Sequence, residues 1–560
     1  MFTCRHGSAI MEDLRIMNQL LSKKMLAIYG LTLLAVLPIL AVLKALIFGD
    51  FVSWKPLWQT TLPDYLINTS LLMVMVGGFS ALIGTFTAWC VTYYDFWGRK
   101  SLSWMLILPL SAPAYIVAYL YTDLMEFYGP VQSGLRNLFG WEAGAYWFPK
   151  IRTVPGAAIM LSLVLYPYVY LLARAAFTHQ SRGQWHAARS LGLNPNQAFW
   201  RVALPAARPA IAGGLALVLM ETLADFGVAD FFAIPTFSTG IFRNWLALGN
   251  KDIAMKLASL MLLAVFFLLI VETLSRRGQV ATHDAKVSNS ELITLPRIKS
   301  GLVTIICSIH VLFGFLIPFC VLAYYAIIQG DGQGRAEFIQ YTVNSLSTAI
   351  IVAFIAVIIA VFFAYIHRGN ANKFVKANIR LATLGYALPG ALLAVGLLSP
   401  LGAFDQIISR FSRDSLGWSE GLILTGTTIA LIYALTIRFL TVSFNSVSTG
   451  FEKVPLSMDH AARSLGAKPF HLIRYIHIPL LRSSVMGAAI LVFIDVLREL
   501  PATLILRPFN YDTLATRVYW LANDERLSEA STAALTIMLV GVLPVLFLNL
   551  FFIRKDNWVN

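Results

Sequence analysis

Charge is scarce in this chain: Asp, Glu, Lys and Arg make up 13% of its 560 residues, about half the roughly 25% of a soluble domain. That poverty excludes a soluble multidomain enzyme, because too little polar surface exists to coat several cores. Cysteine is rarer still. Cys4, Cys90, Cys307 and Cys320 form no CxxC pair and no metal-ligand spacing, and three of them sit in apolar runs, where a thiol behaves as a small hydrophobe. No G-x-x-x-x-G-K-[ST] occurs, so the polypeptide has no phosphate-cradling loop and cannot hydrolyse ATP by that route. No Ser-His-Asp set and no zinc-type His/Glu cluster is present. The nine histidines are scattered, and His6, His283 and His367 lie in or at polar segments, where solvation accounts for them. The chain is therefore not expected to be an enzyme. A cleavable leader is not expected either: the apolar stretch Met25 to Phe48 is long enough to span and lacks a small-x-small cleavage site.

Apolar residues are abundant, at 58% of the chain with a mean hydropathy of +0.70. The apolar runs predict about twelve membrane helices, over 25–48, 66–94, 102–125, 154–178, 209–234, 254–275, 301–328, 341–366, 380–400, 421–441, 482–506 and 529–553. Barrel strands would alternate apolar and polar residues, and these runs do not. The expected fold class is an all-α polytopic membrane protein. A net charge of +14 would suggest nucleic acid in a soluble protein; here it reads as topology, with no nucleic-acid partner. Placing both termini inside gives a roughly 2:1 excess of Lys and Arg on the cytoplasmic side. Residues 1–24 and 554–560 are then cytoplasmic tails. The polar stretch 276–299 is a cytoplasmic linker between two membrane domains of six helices each, 25–275 and 300–553.

The two domains are copies of one another. His186-Ala187-Ala188-Arg189-Ser190-Leu191-Gly192 recurs as His460-Ala461-Ala462-Arg463-Ser464-Leu465-Gly466, 274 residues later. Thirteen residues after each glycine comes a proline, in Leu204-Pro205 and Ile478-Pro479, and Arg208 matches Arg482. Asn68 pairs with Asn344, and Pro113-Ala114 with Pro389-Gly390, displaced by 276. Each repeated block is a polar insertion between the fourth and fifth spans of its half. Its sequence favours a short helix, which Gly192 or Gly466 can end with a left-handed cap. Asn194-Pro195 and Lys468-Pro469 then restart the chain, with proline suited to a first helical turn. A short exposed helix duplicated on one membrane face is suited to docking in a groove of a partner; an ordinary loop helix is the plainer alternative.

Acids inside spans also repeat. Glu221 and Asp225 are four apart and are expected on one helix face, and Asp495 and Glu499 match them 274 residues later. Each upper acid falls roughly 18 Å into its span at 1.5 Å per residue. An ionised group there costs ~2.5–3.5 kcal/mol and normally faces a cavity. The acids therefore either line a path along a shared axis or pair with Arg498 or Arg243 and cap neighbouring helices. Pro113 and Pro389 are expected within their spans, as flex points or static kinks.

The repeated block resembles the EAA loop of bacterial ABC importer permeases: Glu-Ala-Ala, three residues, Gly, then a run to a terminal Leu-Pro. The loops cover about 180–208 and 442–482. The resemblance implies a MetI-like permease fold and identifies His186, Ala187, Ala188, Arg189, Gly192 and Pro205, with His460, Ala461, Ala462, Arg463, Gly466 and Pro479, as residues that couple to an ATPase. Histidine stands where the motif's glutamate is usual, which puts a particular ion pair to the ATPase in doubt. The strings Glu221-Thr222-Leu223-Ala224-Asp225-Phe226-Gly227, Arg498-Glu499-Leu500-Pro501-Ala502-Thr503 and Asp512-Thr513-Leu514-Ala515-Thr516-Arg517-Val518-Tyr519 resemble the fused permeases of ferric iron importers. Thiamine and 2-aminoethylphosphonate permeases share this build.

That resemblance implies a bacterial inner-membrane subunit with two copies of an ABC ATPase inside, a periplasmic or lipid-anchored binding protein outside, and membrane lipid around it. No cofactor is expected on this chain; ATP and Mg belong to the ATPase. Hard cations favour carboxylate ligands, so Glu221, Asp225, Asp495 and Glu499 are candidate transient metal contacts along the translocation path. An ion-coupled secondary transporter would use the same acids as proton or sodium sites, but it leaves the paired heptapeptides without a role.

Overall fold

The computed structural model describes residues 23–48, 54–142, 145–179, 188–275, 292–329, 335–369, 372–416, 422–467 and 469–557. In chain order the principal helices begin with α1 (Lys23–Phe48), α2 (Leu62–Tyr93), α3 (Arg99–Met105), α4 (Ala114–Met125), α5 (Val154–His179) and α6 (Leu204–Ala224). Next come α7 (Gly227–Phe231), α8 (Lys251–Ser275), α9 (Arg297–Val311), α10 (Arg335–Gly369), α11 (Lys373–Ala382) and α12 (Gly390–Leu416). The last are α13 (Thr428–Glu452), α14 (Leu456–Ser464), α15 (Ile478–Leu497), α16 (Pro501–Leu506), α17 (Leu514–Asn523) and α18 (Leu527–Asn557). Tyr94–Asp95 (β1) and Ile293–Thr294 (β2) form a short parallel pair.

Among the described residues, eleven helices are long and apolar enough to cross a membrane. A twelfth crossing would be the pair Arg99–Ser111 and Ala114–Phe139, bent by 90°. The expected single helix over 102–125 is therefore broken. Proline is the cause: Ala112, ahead of Pro113, is extended at ψ 122°, as the proline ring demands of its predecessor. Leu388 adopts ψ 123° ahead of Pro389 in the other half. Pro113 and Pro389 thus lie where helices begin, not inside them, which corrects the expected mid-span kinks. The expected span 380–400 is broken there too, with one helix ending at Ala382 and the next starting at Gly390, and two further expected spans also break. The run 209–234 stops at Ala224 and restarts at Gly227, and the run 482–506 stops at Leu497 and restarts at Pro501.

The chain forms two compact units that do not follow the sequence halves. One unit holds 1–48 and 346–510, and the other holds 49–345 and 511–560. Each half thus gives its first span to the unit built mainly from the other half. In the first unit α1 packs on α11 and α12. Tyr433 Oη donates to the Leu34 carbonyl at 2.5 Å, and Gly396 brings α12 so close to α1 that a Cβ there would lie 2.7 Å from the Pro38 carbonyl oxygen. Asp405 of α12 fixes the turn after it by accepting the N–H groups of Ile423, Leu424 and Thr425 at 2.7–3.1 Å.

In the second unit the α9 span, which runs on from Val311 through a π turn at Leu312–Leu316, packs beside α5 and the third-span break. Tyr121 Oη of α4 donates to the Phe313 carbonyl at 2.6 Å. The centre of this unit is α5, held between α2 and α6 by small residues. A Cβ on Gly84 would fall 2.7 Å from Val169 Cβ and 2.9 Å from the Tyr166 carbonyl oxygen, and one on Gly214 would fall 2.7 Å from Val169 Cα. Close backbone approach of this kind replaces the hydrophobic drive that lipid does not supply. Gly84→Ala is expected to destabilise the protein by about 1–3 kcal/mol through overpacking. The check is its thermal midpoint in detergent beside that of Gly78→Ala, where a Cβ meets nothing within 4 Å.

Candidate functional site

Of the repeated heptapeptides, His186 and Ala187 lie outside the described residues. The remainder of the first copy, and the whole of the second, end alike. Gly192 adopts φ 86° and Gly466 φ 83°. The Leu193 N–H reaches the Ala188 carbonyl at 3.1 Å while Gly192 N–H reaches Arg189 at 3.0 Å. Ala467 to Ala462 and Gly466 to Arg463, both 3.0 Å, repeat the pattern. These are two Schellman caps, which need a residue free to enter the left-handed region.

After the first cap, Asn194 and Gln197 close a capping box: Asn194 Oδ1 accepts the Gln197 N–H at 2.8 Å, and Gln197 Oε1 accepts the Asn194 N–H at 3.1 Å. Both copies then pass through a π turn, Phe199–Ala203 and Ile473–His477, before α6 and α15 begin. The proline of each Leu-Pro or Ile-Pro explains the turn. Pro205 and Pro479 cannot donate, and their rings press on the carbonyl four residues back. Widening the turn lets Leu204 donate to Phe199 and Ile478 to Ile473, five residues back. Pro318, two residues past another π turn, produces the same geometry, with Ile317 donating to Leu312.

The two faces of the repeated helix differ. Ala188 and Ala462, the second alanines, are buried, whereas Arg189, His460, Ala461 and Arg463 are exposed. Leu191 and Leu465, at matching positions, are 84% and 88% exposed.

The second loop has an anchor that its sequence motif did not reveal. Asp459, directly before the heptapeptide, is buried. It accepts from Arg368 Nε at 3.2 Å and from His477 Nε2 at 2.9 Å, and Arg368 also donates to the Phe451 carbonyl at 2.5 Å. Arg368 ends α10 and His477 closes the π turn, so one carboxylate ties the loop helix to two spans.

The intramembrane acids fall at the span breaks. Asp225, expected on one helix face with Glu221, instead ends α6 in extended geometry, ψ 127°. Its Oδ2 accepts the Ala229 N–H at 3.1 Å, so it caps α7, and Glu221 lies half-buried one turn earlier. Glu499 does the same for α16, accepting the N–H groups of Ala502 and Thr503 at 3.0 Å and the Thr503 hydroxyl at 2.8 Å. A carboxylate at a helix N-terminus satisfies donors the helix cannot and faces its positive dipole end. Arg438, buried in α13, lies 3.7 Å from Glu499 Oε1, and Asp495 accepts from Arg498 at 2.5 Å. Gly390 leaves room for this pair, since a Cβ there would come 2.5 Å from both Arg438 and Glu499.

Glu221 and Asp225 belong to one compact unit, and Asp495 and Glu499 to the other. Among the described residues no three His, Cys, Asp or Glu side chains are grouped to hold a metal ion. Arg438 carried a readable signal, a single cation in an otherwise apolar run, which demands a counter-charge.

Duplicated cytoplasm-type loops feeding paired spans, each span broken at an acid, define a polytopic transport permease with two homologous halves. Residues 80–288 match the family described as Binding-protein-dependent transport system inner membrane component. Over 517 residues it is 24% identical to the Fe(3+)-transport system permease protein FbpB 2 of Haemophilus influenzae, covering 91% of this chain and 94% of that relative. The Ferric transport system permease protein FbpB of Actinobacillus pleuropneumoniae is 23% identical over 80% of this chain and 65% of its own length. A Putative 2-aminoethylphosphonate transport system permease protein PhnV of Salmonella typhimurium is 31% identical over 25% of this chain and 52% of its own.

Proposed function

We propose that this permease is the gate of an ATP-driven ferric iron importer in a bacterial inner membrane, with both termini in the cytoplasm. In this reading two copies of a separate ABC ATPase seat on the loops around Ser190 and Ser464, and a binding protein delivers cargo from the opposite side. ATP and its Mg stay on the ATPase. The observation that carries the reading is the pair of capped loop helices with matching exposed leucines, each leading through a π turn into a broken span. A π turn stores an extra residue in the helix, so a push on the loop can be taken up as a shift of the span. The iron assignment rests on the ferric names of relatives matched along most of the chain. A 2-aminoethylphosphonate cargo is the second reading, supported by the higher identity of the shorter PhnV match.

Cargo would pass the span breaks. There Glu221 and Asp495 are the acids left to meet it, since Asp225 and Glu499 cap helices, and a cation reaching Asp495 must displace the Arg498 guanidinium.

The test uses single cysteines at Ser190 and Ser464, both exposed, in protein produced with its ATPase. Crosslinks from both positions to the ATPase are expected, together with ATP-dependent uptake of ferric iron delivered by the binding protein into vesicles. Uptake that persists while neither cysteine captures an ATPase would overturn the coupling role. Uptake of phosphonate but not iron would replace the cargo.

A further inference from the structure

The elbow after α2 is stitched to the start of α9. Trp97 N–H donates to Ser300 Oγ at 3.0 Å, and Thr304 Oγ1 donates to the Trp97 carbonyl at 2.7 Å. The β1–β2 pair runs alongside. Between α3 and the α9 span this leaves a cavity of about 370 Å³, lined by Gly98, Leu102, Met105, Ser308, Leu312 and Leu316 among others. Its size matches the smaller of known ligand sites, and its walls are largely hydrocarbon.

Two features decide what fits. Leu312, which lines the cavity, is 41% exposed on the same membrane-crossing stretch that leaves Leu302, Ile305 and Ile309 exposed, so the cavity opens on the lipid-facing part of that span. At its polar end stand Trp97, 82% exposed as an interfacial indole would be, and the cations Lys100, Arg297 and Lys299, all exposed. Arg99 beside them is half-buried, with Nε donating to the Val91 carbonyl at 2.8 Å. Across residues 94–105 and 292–304 the sequence contains one acid, Asp95. Hydrocarbon walls joined to a cationic rim match a molecule that carries an acyl chain next to a phosphate.

We propose that this groove binds one anionic phospholipid, with an acyl chain between α3 and α9 and its phosphate at Lys100 and Lys299. A net negative headgroup is selected over a zwitterionic one, because the rim's cations outnumber its acid. The lipid would bridge an elbow from the first half to the first span of the second, reinforcing the seam already joined by the β1–β2 pair and the two hydrogen bonds at Trp97.

The test is native mass spectrometry of the full chain, stripped of lipid in detergent and titrated with phosphatidylglycerol or phosphatidylethanolamine of identical chains. Phosphatidylglycerol is expected to bind more tightly, and K100Q/K299Q to weaken it by on the order of tenfold, removing the preference. S308W, which fills the groove, should lower binding of both lipids. The control K373Q/K453Q removes two exposed lysines elsewhere and should change nothing. Equal binding of the two lipids by the unaltered chain, or an equal loss in K373Q/K453Q, overturns the proposal. So does an unchanged preference in K100Q/K299Q, whose exposed positions leave folding intact; this arm stands even if S308W does not fold.

Discussion

Asp459→Ala is expected to lower stability by about 3–5 kcal/mol, the cost of leaving a buried charge without its partner. The carboxylate is the shared acceptor of Arg368 and His477, both well removed from solvent. Truncation leaves the Arg368 guanidinium with the Phe451 carbonyl and removes the Nε2 hydrogen bond of the His477 ring, whose Nδ1 is already buried without a partner among the described residues. Asp459→Asn keeps one acceptor oxygen and should lose less. Thermal unfolding in detergent separates the two variants, and an Asp459→Ala protein as stable as the parent would remove the anchor. The first half has Trp185, Thr92 and Ala203 in the corresponding positions, so it lacks these charges. The same experiment at Thr92 should show little.

Glu499→Ala is expected to be comparably severe, at about 3–5 kcal/mol, for two reasons acting together. It strips α16 of its cap and leaves the buried Arg438 guanidinium, whose Nε and one terminal nitrogen already lack hydrogen-bond partners, without a counter-charge. Arg438→Met in the same protein removes the stranded charge, so the double variant should recover much of the loss. The residue should be near the 0.5–2 kcal/mol of a missing cap. A double-mutant cycle read by unfolding checks this. Strictly additive losses would show that Arg438 and Glu499 do not interact.

The spans were legible because hydrocarbon demands long apolar runs, but their ends were not: the runs read as 380–400 and 421–441 are the helices Gly390–Leu416 and Thr428–Glu452. The breaks were legible in part. Leu500-Pro501 and Ala112-Pro113 each announce a residue that proline keeps out of the helical region. Glu221 to Gly227, by contrast, has only a glycine to mark where α6 stops, and its acids read as helix-facing when Asp225 is in fact a cap. The Schellman caps at Gly192 and Gly466 followed directly from glycine's freedom at positive φ. Asp459 escaped notice because its partners, Arg368 and His477, are distant in sequence and no spacing rule joins them. The placement of α1 and α9 could not be read from sequence at all, since an apolar helix in lipid carries no pattern that names its neighbour.

That placement has a consequence for how the protein is made. A ribosome releases α1 several hundred residues before α11 and α12, the helices it packs on, have been synthesised. The nascent first half must therefore wait in the bilayer with one strand of its future wall unclaimed, and severed halves produced from separate messages would have to find each other before either resists proteolysis. The covalent join guarantees that meeting and fixes the ratio of the two halves at one to one.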